Sequence, residues 1–433
     1  MNVLKCSADL TLISDEMSIR DVIRDIVRKG PHEDPILVLD LDDVVRKHYG
    51  WYEQMPRVSP FYAVKCNDDP RILKTMVKLG LGFDCASKGE LERMLDLGVE
   101  PERIIFAQPA KSIPSLLYAR SKQVSVMTFD SAIELEKIHQ YYPEAQLVLR
   151  IRHDAVKVRC FLGKKFGCDS VNEAPALLRK AAQLRLTVVG ISFHVGSGCD
   201  EHEVYYDAVK MARSLFDYAK TIGYVLNLLD IGGGFPGEKN KPIDRYAQAV
   251  NRAIDHYFPE KENVRIIAEP GRYYVASAVT LVSFVDSKRI VTDRLEDGTD
   301  RTRIFYYIND GIYGTFYSTA YEAQETIPIV QRKANAKEYS SSIWGPTCSP
   351  LDIILRDIQL PELDIGDSVV FENIGAYSTV RACQFNGFPL PKVIAYLREG
   401  TWKILKDVNT VPFPAQISPM AYTSARTTAT RSR

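Results

Sequence analysis

Along its first two thirds the chain alternates short apolar runs with longer stretches in which apolar residues recur at helical spacing. PILVLDL at 35–41, PFYAVK at 60–65, LGFDCAS at 81–87, RIIFAQ at 103–108 and SVMTFD at 125–130 read as strands. So do QLVLRI at 146–151, TVVGISFHVGS at 187–197, NLLDIGGG at 227–234 and VRIIAEPG at 264–271. DDVVRKHYGWYEQM, PRILKTMVKLG, KGELERMLDLG and SAIELEKIHQYY read as the intervening helices. A further helix is expected over 16–30, where Ile19, Val22, Ile23 and Ile26 share a face and Gly30 closes the pattern. Strand followed by helix, about eight times, predicts a closed α/β barrel of the (β/α)8 TIM type over residues 36–275, with an open doubly wound sheet as the competing arrangement.

After about residue 276 the rhythm changes. VTLVSFVDSKRIV, RIFYYIND, SSIWGPT and DSVVFENIG are strand-like runs without long helices between them, which predicts a mostly antiparallel β domain built from 1–35 plus 276–412. The polar segment TDRLEDGTDRT between Val291 and Arg303 reads as a mobile loop, and the Ser/Thr/Arg-rich residues 413–433 as a flexible tail. No internal repeat is present.

Composition narrows the function classes. The 433 residues are 45% hydrophobic and 25% charged, as in soluble globular proteins of roughly two domains. Lysine plus arginine equals aspartate plus glutamate at 55 each, which gives no electrostatic reason for a nucleic acid or membrane partner. No apolar run approaches the ~18 residues of a membrane span, and the N-terminus lacks a secretory apolar region. The eight cysteines (Cys6, Cys66, Cys85, Cys160, Cys168, Cys199, Cys348 and Cys383) show neither C-x-x-C pairs nor zinc spacing. Reduced thiols in a cytosolic protein without a metal site are expected.

The chemistry gathers at strand ends. Lys65 closes an apolar strand and Asp68, Asp69 and Pro70 break the run behind it. At the C-terminal end of a barrel strand a lysine faces the mouth; desolvated there, its amine can form a Schiff base with an aldehyde cofactor. The plainer reading is an ordinary lysine leaving a strand edge. Gly232-Gly233-Gly234 after NLLDI exposes successive backbone N–H groups suited to a phosphate, although a glycine turn alone is weak. The spacing is not that of a Rossmann loop. Glu269-Pro270-Gly271-Arg272 ends the next strand: the acid can keep a pyridoxal ring nitrogen protonated and the arginine can face a phosphate, or the two can simply pair. His194 closes its strand ahead of Val195-Gly196-Ser197, placing a flat ring and a hydroxyl at the same face.

Phe61-Tyr62-Ala63-Val64-Lys65, Gly82-Phe83-Asp84-Cys85-Ala86-Ser87, Ser192-Phe193-His194-Val195-Gly196-Ser197, Asp230-Ile231-Gly232-Gly233-Gly234-Phe235 and Ala268-Glu269-Pro270-Gly271-Arg272-Tyr273-Tyr274 together resemble the eukaryotic ornithine decarboxylases. These are fold III, pyridoxal-phosphate-dependent amino-acid decarboxylases, and the likeness runs from about residue 15 to 410. It implies pyridoxal 5'-phosphate bound covalently at Lys65, with Glu269 on the ring nitrogen, His194 stacked on the ring, and Asp84 and Arg150 supporting the site. Ser197, Gly234, Gly271, Arg272 and Tyr377 would hold the phosphate region. Trp344-Gly345-Pro346-Thr347-Cys348 matches a loop whose cysteine guides protonation in the partner subunit's site. The resemblance therefore implies a homodimer in which Tyr313, Cys348 and Phe385 line an interface site, and Lys165 and Asp352 form a cross-subunit ion pair.

Two positions depart from the pattern. The family's aspartate after the cysteine is Ser349 here, and its second distal-amine aspartate is Glu322, in Tyr321-Glu322-Ala323. The resemblance implies decarboxylation of a basic amino acid, first ornithine to putrescine in polyamine biosynthesis. The departures raise an altered substrate (lysine, arginine or another amino acid) as the alternative. A third reading, from another class, is a non-catalytic antizyme-inhibitor-like regulator. Residues 111–145 remain similar to the antizyme-binding region, including Tyr118, Met127, Thr128, Phe129, Asp130, Glu134 and Leu135.

Overall fold

The computed structural model describes residues 10–294, 300–331 and 336–407. The tail expected over 413–433 and Cys6 lie outside the described residues. Two compact units are formed. One combines the described residues up to Asp43 with Val275–Ile404; the other is built on Val44–Tyr274.

The second unit holds a closed barrel. Its eight parallel strands are Val58–Ala63, Gly82–Cys85, Ile104–Phe106, Val126–Phe129, Gln146–Arg152, Thr187–His194, Leu228–Asp230 and Arg265–Ala268. The last pairs back onto the first, Ile266 opposite Val58. Strands covered on both faces need no polar alternation, which is why they read as continuous apolar runs. Phe61, Ile105, Val148, Leu228 and Ile267 pack together as one core cluster. Helix starts are fixed by side-chain caps: Asp69 accepts from Arg71 N, Ser87 from Glu90 N and Ser131 from Glu134 N. Each cap sits just past a strand end, so the chain turns back at a set residue and strand-end side chains keep their place at the mouth.

The strand Ile36–Asp40 is not part of the barrel, contrary to the boundary expected from the alternation. It pairs antiparallel with Val279–Arg294 (Leu37 opposite Leu281) and parallel with Lys392–Arg398 (Leu37 opposite Val393). An apolar run reports burial on both faces and carries no information about its partner, so a central strand of another sheet looks like a barrel strand. The barrel opens instead at Val58.

The first unit is a nine-stranded sheet. Its path runs Leu10–Ile13, Lys392–Arg398, Ile36–Asp40, Val279–Arg294, Asp300–Ile308, Glu338–Trp344, Ile353–Pro361, while Ser368–Phe371 and Pro328–Val330 branch from it. Antiparallel pairing dominates, as the helix-free rhythm predicts, with parallel pairings such as Arg303–Tyr307 beside Ser340–Trp344. The helix Ile19–Arg28 carries a capping box at Ser18 and Asp21 and buries Val22 and Ile26 against Val38, Val282 and Phe284. The segment expected to be a loop between Val291 and Arg303 is largely ladder: Thr292 faces Thr302 and Arg294 faces Asp300. Its charges serve the sheet face, with Arg303 paired to Asp293 across the strands at 2.5 Å. Residues 295–299 lie outside the described residues. Cys66, Cys85, Cys160, Cys168, Cys199, Cys348 and Cys383 are free thiols. Among the described residues no helix is long and apolar enough to cross a membrane.

Candidate active site

The strand Val58–Ala63 gives way to a tight turn, Val64–Cys66, which throws Lys65 out of the strand line. The turn is held by Tyr62 Oη, which donates to Asn67 O at 2.8 Å. Lys65 Nζ forms an ion pair with Asp84, a fully buried carboxylate at the end of the neighbouring strand. The other Asp84 oxygen, Oδ1, is buried and has no hydrogen-bond partner among the described residues. The Lys65 side chain is 42% exposed.

Glu269 leaves the strand Arg265–Ala268 with its backbone N–H donating to Gly232 O at 2.7 Å. Burial raises its carboxyl well above the usual range, and the neighbouring acids Asp230 and Asp84 raise it further; Lys65 and Arg150 only moderate the effect. Asp230, also buried, is raised by the same desolvation, although Gly232 N donates to its Oδ1 at 2.9 Å. Two acids buried side by side hold a proton until a cation arrives. His194 is pushed well below its ordinary value by burial, then by Arg150 and Lys65. Its Nδ1 accepts from Gly196 N at 3.0 Å, which places the proton of the neutral ring on Nε2.

The glycine loops close on these groups. Gly196 and Gly234 take φ of +110° and +106°, conformations a side chain would strain. A Cβ on Gly234 would lie 2.6 Å from Gly196 O, and one on Gly233 would lie 3.0 Å from His194 Nε2. A Cβ on Gly271 would lie 2.8 Å from the Cys66 Cβ, so the Glu269–Arg272 turn is packed on the Lys65 turn. Ser197 opens a two-strand ribbon opposite Cys160. Arg272 is buried nearby. Although burial raises the Glu238 carboxyl, Arg159, 2.8 Å away, and Arg272 bring it down to about 2. Arg150 lies in Gln146–Arg152 with its guanidinium 5.6 Å from the Phe166 ring.

Thus Lys65, Asp84, Arg150, His194, Ser197, Gly234, Glu269, Gly271 and Arg272 all fall at the C-terminal ends of barrel strands or in the loops that follow them. The set fits pyridoxal phosphate: an amine on a strand end, a buried acid pair calling for a protonated ring nitrogen, and side-chain-free backbone for a phosphate. Asp230, the second acid of that pair, is not singled out by the sequence pattern; its place at the end of its strand, two residues before Gly232, is the available signal.

The remaining expected residues lie in the sheet unit, except Lys165, which belongs to the barrel unit. Tyr313 stacks on Phe385, ring centroids 4.5 Å apart, and its Oη donates to Ser349 Oγ at 2.9 Å. Cys348 is exposed, and its N–H donates to Asn386 Oδ1 at 3.0 Å. Asp352 is buried, accepting from Ile312 N at 2.8 Å and from Thr347 Oγ1 at 2.6 Å. Lys165 Nζ rests 5.0 Å from the Phe166 ring. Glu322 is not an open carboxylate: Arg381 Nη1 pairs with it at 2.5 Å. Ser318 Oγ donates to it at 3.3 Å. The Arg381 guanidinium lies 4.5 Å from the Tyr317 ring and 5.1 Å from the Tyr377 ring.

Residues 41–276 match the family model of the pyridoxal-dependent decarboxylases, pyridoxal binding domain. The chain is 42% identical to ornithine decarboxylase of Rattus norvegicus over 94% of its own length and 91% of the relative's. It is 43% identical to antizyme inhibitor 2 of Xenopus laevis over 92% and 90%. Among solved structures, the arginine decarboxylase of Paramecium bursaria Chlorella virus bound to agmatine superposes with a TM-score of 0.81 at 37% identity, covering 87% of this chain and all of that one. The chain therefore belongs to the pyridoxal-phosphate-dependent decarboxylases of the ornithine, lysine and arginine family, and it is a decarboxylase enzyme using that cofactor.

Proposed function

We propose that the barrel mouth decarboxylates an amino acid through roles divided as follows. Lys65 would carry the cofactor on its amine, with Asp84 fixing the position of Nζ. Glu269, backed by Asp230, would hold a proton at the ring nitrogen, and the neutral His194 would contact the ring. Ser197, Gly234, Gly271, Arg272 and Tyr377 would bind the phosphate, and Cys348, which the family pattern directs to the site of the partner subunit, would return a proton to the α-carbon there. When bound, pyridoxal phosphate supplies an electron sink for the pair of electrons left as carbon dioxide departs. The observation that carries this reading is the buried Glu269–Asp230 acid pair beside the Lys65–Asp84 ion pair. An acid pair kept there without a cation to serve would only cost stability.

L-ornithine, named in the relatives above, is the first substrate to test, in a cytosolic homodimer. A regulator that merely binds antizyme has no use for this set of charges, although residues 111–145 leave antizyme as a candidate partner. The experiment is carbon dioxide release by the purified protein from ornithine, lysine, arginine and leucine, alongside the visible absorbance of bound cofactor. Ornithine turnover supports the family substrate. No cofactor absorbance and no turnover would sink the enzyme reading and leave the regulator. A second substrate reading has its own observation: the Glu322 carboxylate, expected to meet a substrate ammonium, is already held by Arg381.

A further inference from the structure

We infer that Arg381 determines substrate specificity, turning the side-chain end of the site away from cationic amino acids and toward uncharged ones. The inference rests on the reading of Glu322, Ser349, Tyr313 and Phe385 as substrate-side residues, and it deepens that reading by naming the substrate class.

Both positions that would greet a distal ammonium are satisfied from within the same unit. Glu322 has a side chain only 10% exposed, paired with Arg381 and hydrogen-bonded by Ser318. An incoming ammonium would have to displace a guanidinium that is always charged, or sit beside it and be repelled. Displacement is opposed by how Arg381 is held. It ends the short turn Thr379–Arg381, where its own N–H donates to Ser378 O at 2.9 Å. Its side chain lies within cation–π reach of Tyr317 and Tyr377. The Ser318 hydroxyl also lies 3.2 Å from Tyr377 O, so its single hydrogen is shared between the acid and that aromatic segment.

Ser349 offers no replacement charge. Its Oγ accepts from Tyr313 Oη at 2.9 Å and from Leu351 N at 3.3 Å, so its lone pairs are engaged and it brings no anion. What remains is the stacked pair of Tyr313 and Phe385, a flat aromatic surface against which an uncharged side chain desolvates at little cost. A carboxylate-ended substrate is disfavoured for the mirror reason: Glu322 already neutralises Arg381 and would repel a second anion.

The test uses the full-length, cofactor-loaded protein with Arg381→Ala and Arg381→Gln, the second keeping length and polarity in case the first folds poorly. Arg381→Lys is the charge-preserving control. Two readouts are taken: kcat/KM for ornithine and for leucine, and calorimetric binding of 1,4-diaminobutane and 3-methylbutylamine. The wild type should turn over leucine with a kcat/KM at least about tenfold above that for ornithine, and bind the monoamine more tightly than the diamine. Either neutral variant should bind the diamine about tenfold or more tightly than the wild type and lower KM for ornithine, while Arg381→Lys stays near the wild type. A wild type that prefers ornithine, or neutral variants with no gain in diamine binding, would overturn the inference. Loss of cofactor absorbance and of all turnover in the wild type would instead mark failure of the decarboxylase reading, because the diamine titration still decides the role of Arg381.

Discussion

At the barrel mouth charge is left waiting; in the sheet unit it is closed upon itself. Glu269 and Asp230 are buried acids whose neighbours Lys65 and Arg150 only partly relieve them, and Asp84 keeps one oxygen without a hydrogen bond among the described residues. Glu322, Ser349 and Asp352 are each met by groups of their own unit: Arg381, Tyr313 and Thr347 respectively. A buried group with an unmet preference marks where a ligand completes the protein. One that is already met makes no such demand. The same kind of residue, a carboxylate at an expected position, therefore predicts opposite things in the two regions.

That contrast can be attacked at its strongest point first. Lys65→Ala should abolish turnover, by about 1000-fold or more, and remove the visible absorbance of bound cofactor, because no other amine is proposed for covalent attachment. Retention of the absorbance would show that the barrel set holds the cofactor another way. Glu269→Gln should lower kcat by about 100-fold or more while the absorbance persists, since the amide leaves the ring nitrogen without its anionic partner. Unchanged kcat would mean that the acid pair is structural. Ser349→Asp should raise kcat/KM for ornithine by roughly tenfold, because it adds a carboxylate that Arg381 does not neutralise; no gain in a folded, cofactor-loaded variant would place the barrier elsewhere.

The smallest effect concerns pH. Glu269 and Asp230 have folded pKa values above their unfolded ones, so between about pH 4 and the raised values the folded cofactor-free protein binds more protons than the unfolded chain. Stability is then fully present at the acid end and declines as pH rises, by at most about 1.4 kcal/mol per pH unit for each such group. The Tm of cofactor-free protein should fall accordingly, and Glu269→Gln should flatten the slope. An equally steep slope in the variant would assign the dependence to other groups.

The barrel was legible because its signals are local. A strand end, a single charged residue and a glycine turn lie within a few positions of one another, so Lys65, His194 and Glu269 could be placed at one face without knowing the partner of any strand. Partners were what could not be read. Ile36–Asp40 has the apolar run of a barrel strand, yet its neighbours lie near residues 279 and 392. Asp230 escaped notice because its effect depends on Glu269, which comes from the next strand. The pairing of Glu322 is not legible because Arg381, 59 positions on, sits in a turn with no periodic pattern to mark it.

The sheet unit also bears on how the protein is made. Lys392–Arg398 lies between Leu10–Ile13 and Ile36–Asp40 and pairs with both. On a ribosome adding about 5–20 residues per second, the two early strands therefore wait roughly twenty seconds to a minute for their shared neighbour, while every strand of the barrel is synthesised in the interval. During that wait their edges are open to wrong partners. A nascent chain stalled before residue 392 should accordingly yield a protease-resistant barrel and a cleavable N-terminal segment, with protection of that segment appearing only once the late strand has emerged.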